Sequence, residues 1–403
     1  MKILMVGWAS ADERAGGVES IQADMVRLLG ARLVGVAEAA QALGVDPGPY
    51  QRHSNVDRAC LLAEYVAWLE QRDSYDVVLS AADCGAFLRT RAPLILYWHN
   101  PYRDIAERLH REGAYDRLRW YEYGQQYPAL QEHGGKRAAA NVAVSPWMSE
   151  YLGRCRTRCD RVIPLGVDAD TFAPKSRAER DRVRLSLGLP VDKPLVLFTG
   201  AFHPVSGYAV IDELRARTLD CSWLLVFKEL KPRKTTLLGH ERVNYPEPDP
   251  RTCVLENLPR SAMADVYRAA DVMVSASPIE SFNLKAVEAL SCGTPVVTTR
   301  AGIFADWPAS GPFGAVLDEG APHEFERAVR AVLAREIGTD PRDAVVPYLT
   351  LERFQRDWRA TLDQVVGAHQ RRVRQRGTLR LAASGGGPPR LTVVPQPVRP
   401  QAL

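Results

Sequence analysis

The chain lays down one plan twice. Ile3-Leu4-Met5-Val6-Gly7 is a short apolar run that meets a glycine, and Leu195-Val196-Leu197-Phe198-Thr199-Gly200 repeats that design in the second half. After each opening, apolar runs of strand length alternate with segments of helical period. Asp76–Ser80, Leu94–Trp98, Ala138–Ser145 and Asp160–Pro164 follow the first, while Trp223–Phe227, Thr252–Leu255, Val272–Ala276 and Pro295–Thr299 follow the second. Such runs carry no polar alternation, so they suit strands covered on both faces by helices, as in parallel sheets. Between them Ile21, Met25, Leu28 and Leu29 recur at helical spacing, and residues 56–71 place Ala59, Leu62, Ala63, Val66 and Leu69 on one face. Segments 262–269 and 283–291 read as helices too, and Ser145-Pro146 reads as an N-cap followed by a first-turn proline.

Strand–helix alternation of this kind predicts an α/β protein with two doubly wound, Rossmann-like domains. The expected boundaries are 1–172 for the N-terminal domain and 173–193 for a charged, proline-bearing linker around one short helix. Residues 194–350 form the C-terminal domain, 351–368 a last amphipathic helix and 369–403 a disordered basic tail. Two such domains facing a cleft would bring the carboxyl ends of both sheets to one divided site, since ligands of open α/β sheets bind at those ends.

Composition narrows the class. With 46% apolar and 25% charged residues the chain fits a globular enzyme rather than a disordered or fibrous protein. No stretch approaches the ~20 uncharged apolar residues of a membrane span, and the N-terminal run is too short for a signal peptide, so a cytoplasmic protein is expected. The seven cysteines are odd in number and scattered, as reduced thiols are, and Cys155-x3-Cys159 has no nearby partners to complete a zinc site. Residues 369–403 hold seven arginines and no acidic residue, which leaves the body of the chain near −3 against a total of +4. With Gly385-Gly386-Gly387-Pro388-Pro389 inside it, this segment reads as a solubilising extension, or as an arm for an acidic partner, a nucleic acid or a membrane surface. Residues 154–161 add a second basic cluster, able to serve an acidic acceptor.

The densest segment runs from Ser275 to Val297. A strand ends in Ser275-Ala276-Ser277-Pro278, a turn carries Glu280, a helix begins near Phe282 and Glu288 lies about two turns inside it. A helix N-terminus offers unpaired N–H groups and the positive end of a dipole to a phosphate. Carboxylates beside it can accept hydrogen bonds from sugar hydroxyls or a ribose diol.

This segment, with Glu280-x7-Glu288 inside P-x-E-S-F-N and E-A-L-x-C-G-T-P-V-V, resembles the signature of retaining, two-domain GT-B glycosyltransferases of family 4 (glycosyl transferases group 1). Val162–Pro174, Val144-Ser145, Trp98-His99-Asn100 and Asp265–Val272 resemble other segments of that family in the same order, over about residues 1–365. The resemblance implies that Glu280 contacts the donor sugar, with the amides around Phe282, Asn283 and Leu284 turned toward sugar or diphosphate. Glu288 would hold the nucleotide ribose and His99 would reach the donor sugar near its reacting carbon. Gly16, Gly17 and Gly200 would let backbone approach the donor.

Departures accompany the match. Where the family shows an arginine and a lysine gripping the diphosphate, this chain has Ala201 and Ser206, so Lys228 is expected to supply the charge, ahead of Lys231, Arg233 and Lys234. Asn283 stands where glycine is usual. Asp168-Ala169-Asp170 spells the metal-binding motif of a different architecture, but within this segment Asp168 is expected to cap a turn. The expected activity is a metal-independent, cofactor-free retaining transfer from a nucleotide-diphosphate sugar to an unidentified acceptor. Its alternatives are a non-catalytic sugar-nucleotide or partner-binding protein on the same fold, and a transferase with an unusual donor.

Overall fold

The computed structural model describes residues 1–8, 17–46, 55–201, 204–227, 233–234, 241–242, 246, 249–318, 320–334 and 340–383. Side chains are described over a slightly narrower set, which ends at Gln375. Six strands form the first sheet: β1 (Ile3–Val6), β2 (Arg32–Val34), β3 (Val77–Ala81), β4 (Leu94–Trp98), β5 (Ala140–Ala143) and β6 (Arg161–Val162). They are all parallel in the order β2-β1-β3-β4-β5-β6. β1, β3, β4 and β5 are buried at every position, which explains their unbroken apolar runs.

In the second half come β7 (Leu195–Gly200), β8 (Ser222–Phe227), a small hairpin of β9 (Arg233–Lys234) and β10 (Glu241–Arg242), and β11 (Thr252–Glu256). β12 (Val272–Ser275), β13 (Val296–Thr299), β14 (Ser310–Gly311) and β15 (Gly314–Leu317) complete it. The second sheet runs β11-β8-β7-β12-β13-β15-β14, parallel except for β14 at its edge. The two doubly wound units expected from the sequence are therefore present. Not expected from the sequence are β2, β9, β10, β14 and β15, all but the last of them only two or three residues long.

The linker helix, Arg177–Ser186, opens with a capping box between Ser176 and Glu179 and lies on the second domain. Its Arg184 is buried, donating to Ala269 O at 2.7 Å and pairing with Asp271 at 2.7 Å. Asp168 caps its turn as expected, accepting from Asp170 N (3.2 Å), Thr171 N (3.1 Å) and Thr171 Oγ1 (2.9 Å). Burial works against its ionisation, yet these bonds hold the carboxyl below its ordinary range.

The last helix departs from expectation. It runs Leu351–Ala383 and does not give way to disorder at residue 369. Phe354, Trp358, Leu362 and Val366 are buried and nucleate it, and Gln355 and Gln364 tie it to Leu28 and Arg161 of the first domain. Propagation from an anchored helix is easy, arginine is a good helix former, and the glycine–proline cluster begins only at Gly385. Residues 370–375 are exposed on this extension, and 384–403 lie outside the described residues. Among the described residues no helix is long and apolar enough to cross a membrane.

Candidate functional site

The carboxyl edges of the two sheets meet. Ser145 lies two residues past β5 and caps helix Pro146–Arg154, accepting from Met148 N at 3.1 Å. Its hydroxyl proton goes to the carbonyl of Ser281 in the other domain, at 2.6 Å. Nearby, helix Tyr102–Arg111, which follows β4, lies close to the short 3-10 turn Pro204–Ser206, which follows β7. Loops from both carboxyl edges therefore contact one another.

On the C-terminal side the chain leaves β12 at Ser275 and enters an eight-residue helix, Leu284–Ser291. Asn283 caps that helix with φ 76° and ψ 53°, in the left-handed region. Asparagine is among the few residues that tolerate this conformation, so it can stand in for glycine. Its buried amide also donates to Ser275 Oγ and Thr298 Oγ1, both at 3.1 Å, and so ties the ends of β12 and β13 together. The neighbouring loop comes in tightly: Ile303 N donates to Phe282 O at 3.0 Å, and a Cβ on Gly302 would stand 2.6 Å from that oxygen. The Phe282 ring is core, and Leu284 is half-buried, so a ligand would meet backbone here rather than these side chains.

Glu280 lies in the turn before the helix, half-buried, with Oε1 at 2.9 Å from Lys285 Nζ. Glu288 lies further along, almost fully buried. It accepts from Tyr267 Oη at 3.1 Å and from Arg260 Nη2 at 3.3 Å. Burial dominates over these donors and pushes its carboxyl up to about 6. Arg260 also reaches across to the first domain, donating to Asp24 Oδ2 of helix Gly17–Leu29 at 3.0 Å. A three-residue chain, Asp24–Arg260–Glu288, thus joins the domains beside the buried carboxylate. Sequence periodicity could not have found it, because period reports burial and not partnership.

On the N-terminal side His99 immediately follows β4, buried and stacked on Tyr97 with ring centroids 5.2 Å apart. Tyr97 Oη in turn accepts from Gln22 Nε2 at 2.9 Å. Asp83, absent from the sequence reading, is buried after β3. It accepts from Trp8 Nε1 at 3.0 Å and Tyr102 Oη at 2.6 Å, which ties the ends of β1, β3 and β4 together.

Two expected donor contacts, Gly16 and Lys228, lie outside the described residues. Gly17 opens helix Gly17–Leu29, and Gly200 closes β7. At the positions lacking cations, Ala201 N donates to Ser206 Oγ at 3.3 Å, so the turn after β7 is closed by a hydroxyl. The basic cluster 154–161 is largely satisfied locally: Arg154 pairs with Asp104, Arg158 with Asp160, and Arg161 with Gln364.

Comparison with known structures agrees with this layout. The chain superposes on sucrose-phosphate synthase from Thermosynechococcus elongatus with a TM-score of 0.72 at 18% identity, covering 91% of this chain and 100% of that one. It superposes on Anabaena HepE in complex with UDP-glucose with a TM-score of 0.67 at 18% identity, covering 90% and 100%. The chain has the GT-B fold. Within this GT-B chain, residues 179–346 match the family model described as glycosyl transferases group 1. That match includes the Glu280–Glu288 segment and the Arg260 helix. A D-inositol 3-phosphate glycosyltransferase from Thermobifida fusca is 33% identical over 206 residues, 48% of this chain and 44% of the relative. The namesake from Corynebacterium jeikeium is 25% identical over 392 residues, 90% of this chain and 89% of the relative. The alignments at 30% identity or more span about half of the curated relatives they match.

Proposed function

We propose that this GT-B chain is a retaining glycosyltransferase that moves a sugar from a nucleotide-diphosphate sugar to an acceptor hydroxyl without a metal ion. The observation that carries the reading is the eight-residue helix with a half-buried carboxylate before it and a buried one within it, opening on the edge that holds His99. In this reading Glu288 accepts from the ribose diol and the first-turn amides meet the diphosphate. Glu280 accepts from the sugar hydroxyls, and His99 lines the far side of the reacting carbon. The bond from the anomeric carbon to the phosphate oxygen breaks while a bond to the acceptor oxygen forms on the same face. The departing phosphate takes the acceptor's proton, so no protein nucleophile is needed. HepE was crystallised with UDP-glucose and several relatives are named for D-inositol 3-phosphate, which makes these the first donor and acceptor to try.

The test begins with thermal unfolding in UDP, GDP, ADP, dTDP and CDP. A nucleotide at ~100 times its dissociation constant stabilises by about 2.7 kcal/mol, roughly a 2–4 °C shift for domains of this size. That shift should vanish in Glu288→Ala. With the matching sugar nucleotide, Glu280→Ala should lower transfer by at least about 100-fold, the usual loss for one group acting on the transition state, with its circular dichroism spectrum unchanged. Full transfer by Glu280→Ala would remove that residue from the site, and the absence of any nucleotide shift would remove the donor reading.

A further inference from the structure

We propose that Lys285 is the cation that meets the donor's diphosphate, an inference that rests on the nucleotide-sugar reading above. A diphosphate gains negative charge as the sugar leaves, and in a water-poor crevice that charge calls for a positive group fixed in advance. Among the described residues of the turn after β7 there is none, and Ala201 and Ser206 bond to each other there. Other described cations along this edge are committed elsewhere. Arg300 pairs with Asp318 and donates to the carbonyls of Ala305 and Trp307, and Arg260 is held between Asp24 and Glu288. On the opposite wall Arg103 donates to Arg154 O, and Arg108 pairs with Glu112.

Lys285 differs from all of these. It is the second residue of helix Leu284–Ser291, its side chain is 21% exposed, and its ammonium sits 2.9 Å from the carboxylate of Glu280. A lysine in a first turn faces the positive end of the helix dipole, so helix electrostatics alone disfavours it at this position. Its long stem and three rotatable N–H donors suit a role as a point charge on phosphate. With donor bound, the ammonium would bridge Glu280 and a phosphate oxygen, which couples the sugar-binding carboxylate to the leaving group. In this reading the helix whose first turn meets the phosphates also carries a cation for them, whereas Lys228, expected in that role, lies outside the described residues.

The experiment compares a nucleoside diphosphate with its own nucleoside by calorimetry, UDP and uridine first and otherwise the pair found by the nucleotide screen. Lys285→Met should weaken the diphosphate by roughly 10–100-fold, the worth of one charged hydrogen bond, and leave the nucleoside within about twofold. Lys285→Arg should recover most of the loss. Glu280→Gln, which keeps the lysine and removes its carboxylate partner, should bind the diphosphate at least as well as wild type. An equal loss for diphosphate and nucleoside in Lys285→Met would make Lys285 a structural partner of Glu280 and overturn the proposal, as would an unchanged diphosphate affinity. If no nucleoside diphosphate binds the wild type, the donor reading falls first and this inference with it.

Discussion

On the ribose-binding role proposed for Glu288, donor binding should depend on pH in a range where few carboxylates titrate. Its carboxyl is pushed up to about 6 by burial, although Arg260 and Tyr267 both donate to it. Glutamate in an unfolded chain titrates near 4.3. Folded protein therefore takes up this proton first as pH falls. The Glu288 contribution favours folding below ~4.3 and is lost as pH rises through about 6, by roughly 2 kcal/mol in all. Binding runs the other way, since only the carboxylate can accept from both ribose hydroxyls. The competent fraction is about nine-tenths at pH 7 and about one-eleventh at pH 5, so apparent affinity should fall roughly tenfold across that interval. The ligand should be the intact sugar nucleotide, because a terminal phosphate has its own second pKa near 6 and would blur the result. Calorimetric titrations at half-unit steps, on wild type and on Glu288→Gln, read the effect directly. The wild-type curve should bend near pH 6, and the Gln variant should be weaker at pH 7 and flat. Parallel curves, or a flat wild type, would refute the role assigned to the Glu288 carboxylate.

Further outcomes follow from the backbone and the domain contact. Asn283→Ala should destabilise by about 2–4 kcal/mol in urea unfolding, combining left-handed strain with the loss of two buried hydrogen bonds. Asn283→Gly, free of that strain, should cost only about 1–2 kcal/mol, and equal values would contradict the conformational account. Ser145→Ala removes both a helix cap and the bond to Ser281 O, and should cost about 1–2 kcal/mol in the same assay. A change under about 0.3 kcal/mol would mean that neither bond contributes.

Much of the fold was legible because its strands are buried on both faces. A run such as Ile3–Val6 or Leu94–Trp98 excludes charged residues whatever packs on it, so the doubled α/β plan follows from local pattern. The Ser145 cap and the Asp168 turn were legible for a similar reason, since both bond mainly within a few residues of themselves. The helix beyond residue 368 was misjudged because composition describes an isolated segment, whereas here the buried turn around Trp358 and Leu362 starts a helix that the arginines only continue. Partnerships between distant residues were not legible at all. Asp24 and Arg260 are 236 positions apart, Ser145 and Ser281 are 136, and Trp8 and Asp83 are 75. Local sequence shows which positions are buried and how the backbone turns, because those depend on near neighbours. Which carboxylate faces which cation is decided only when two sheets are laid edge to edge, and that arrangement leaves no period in the chain.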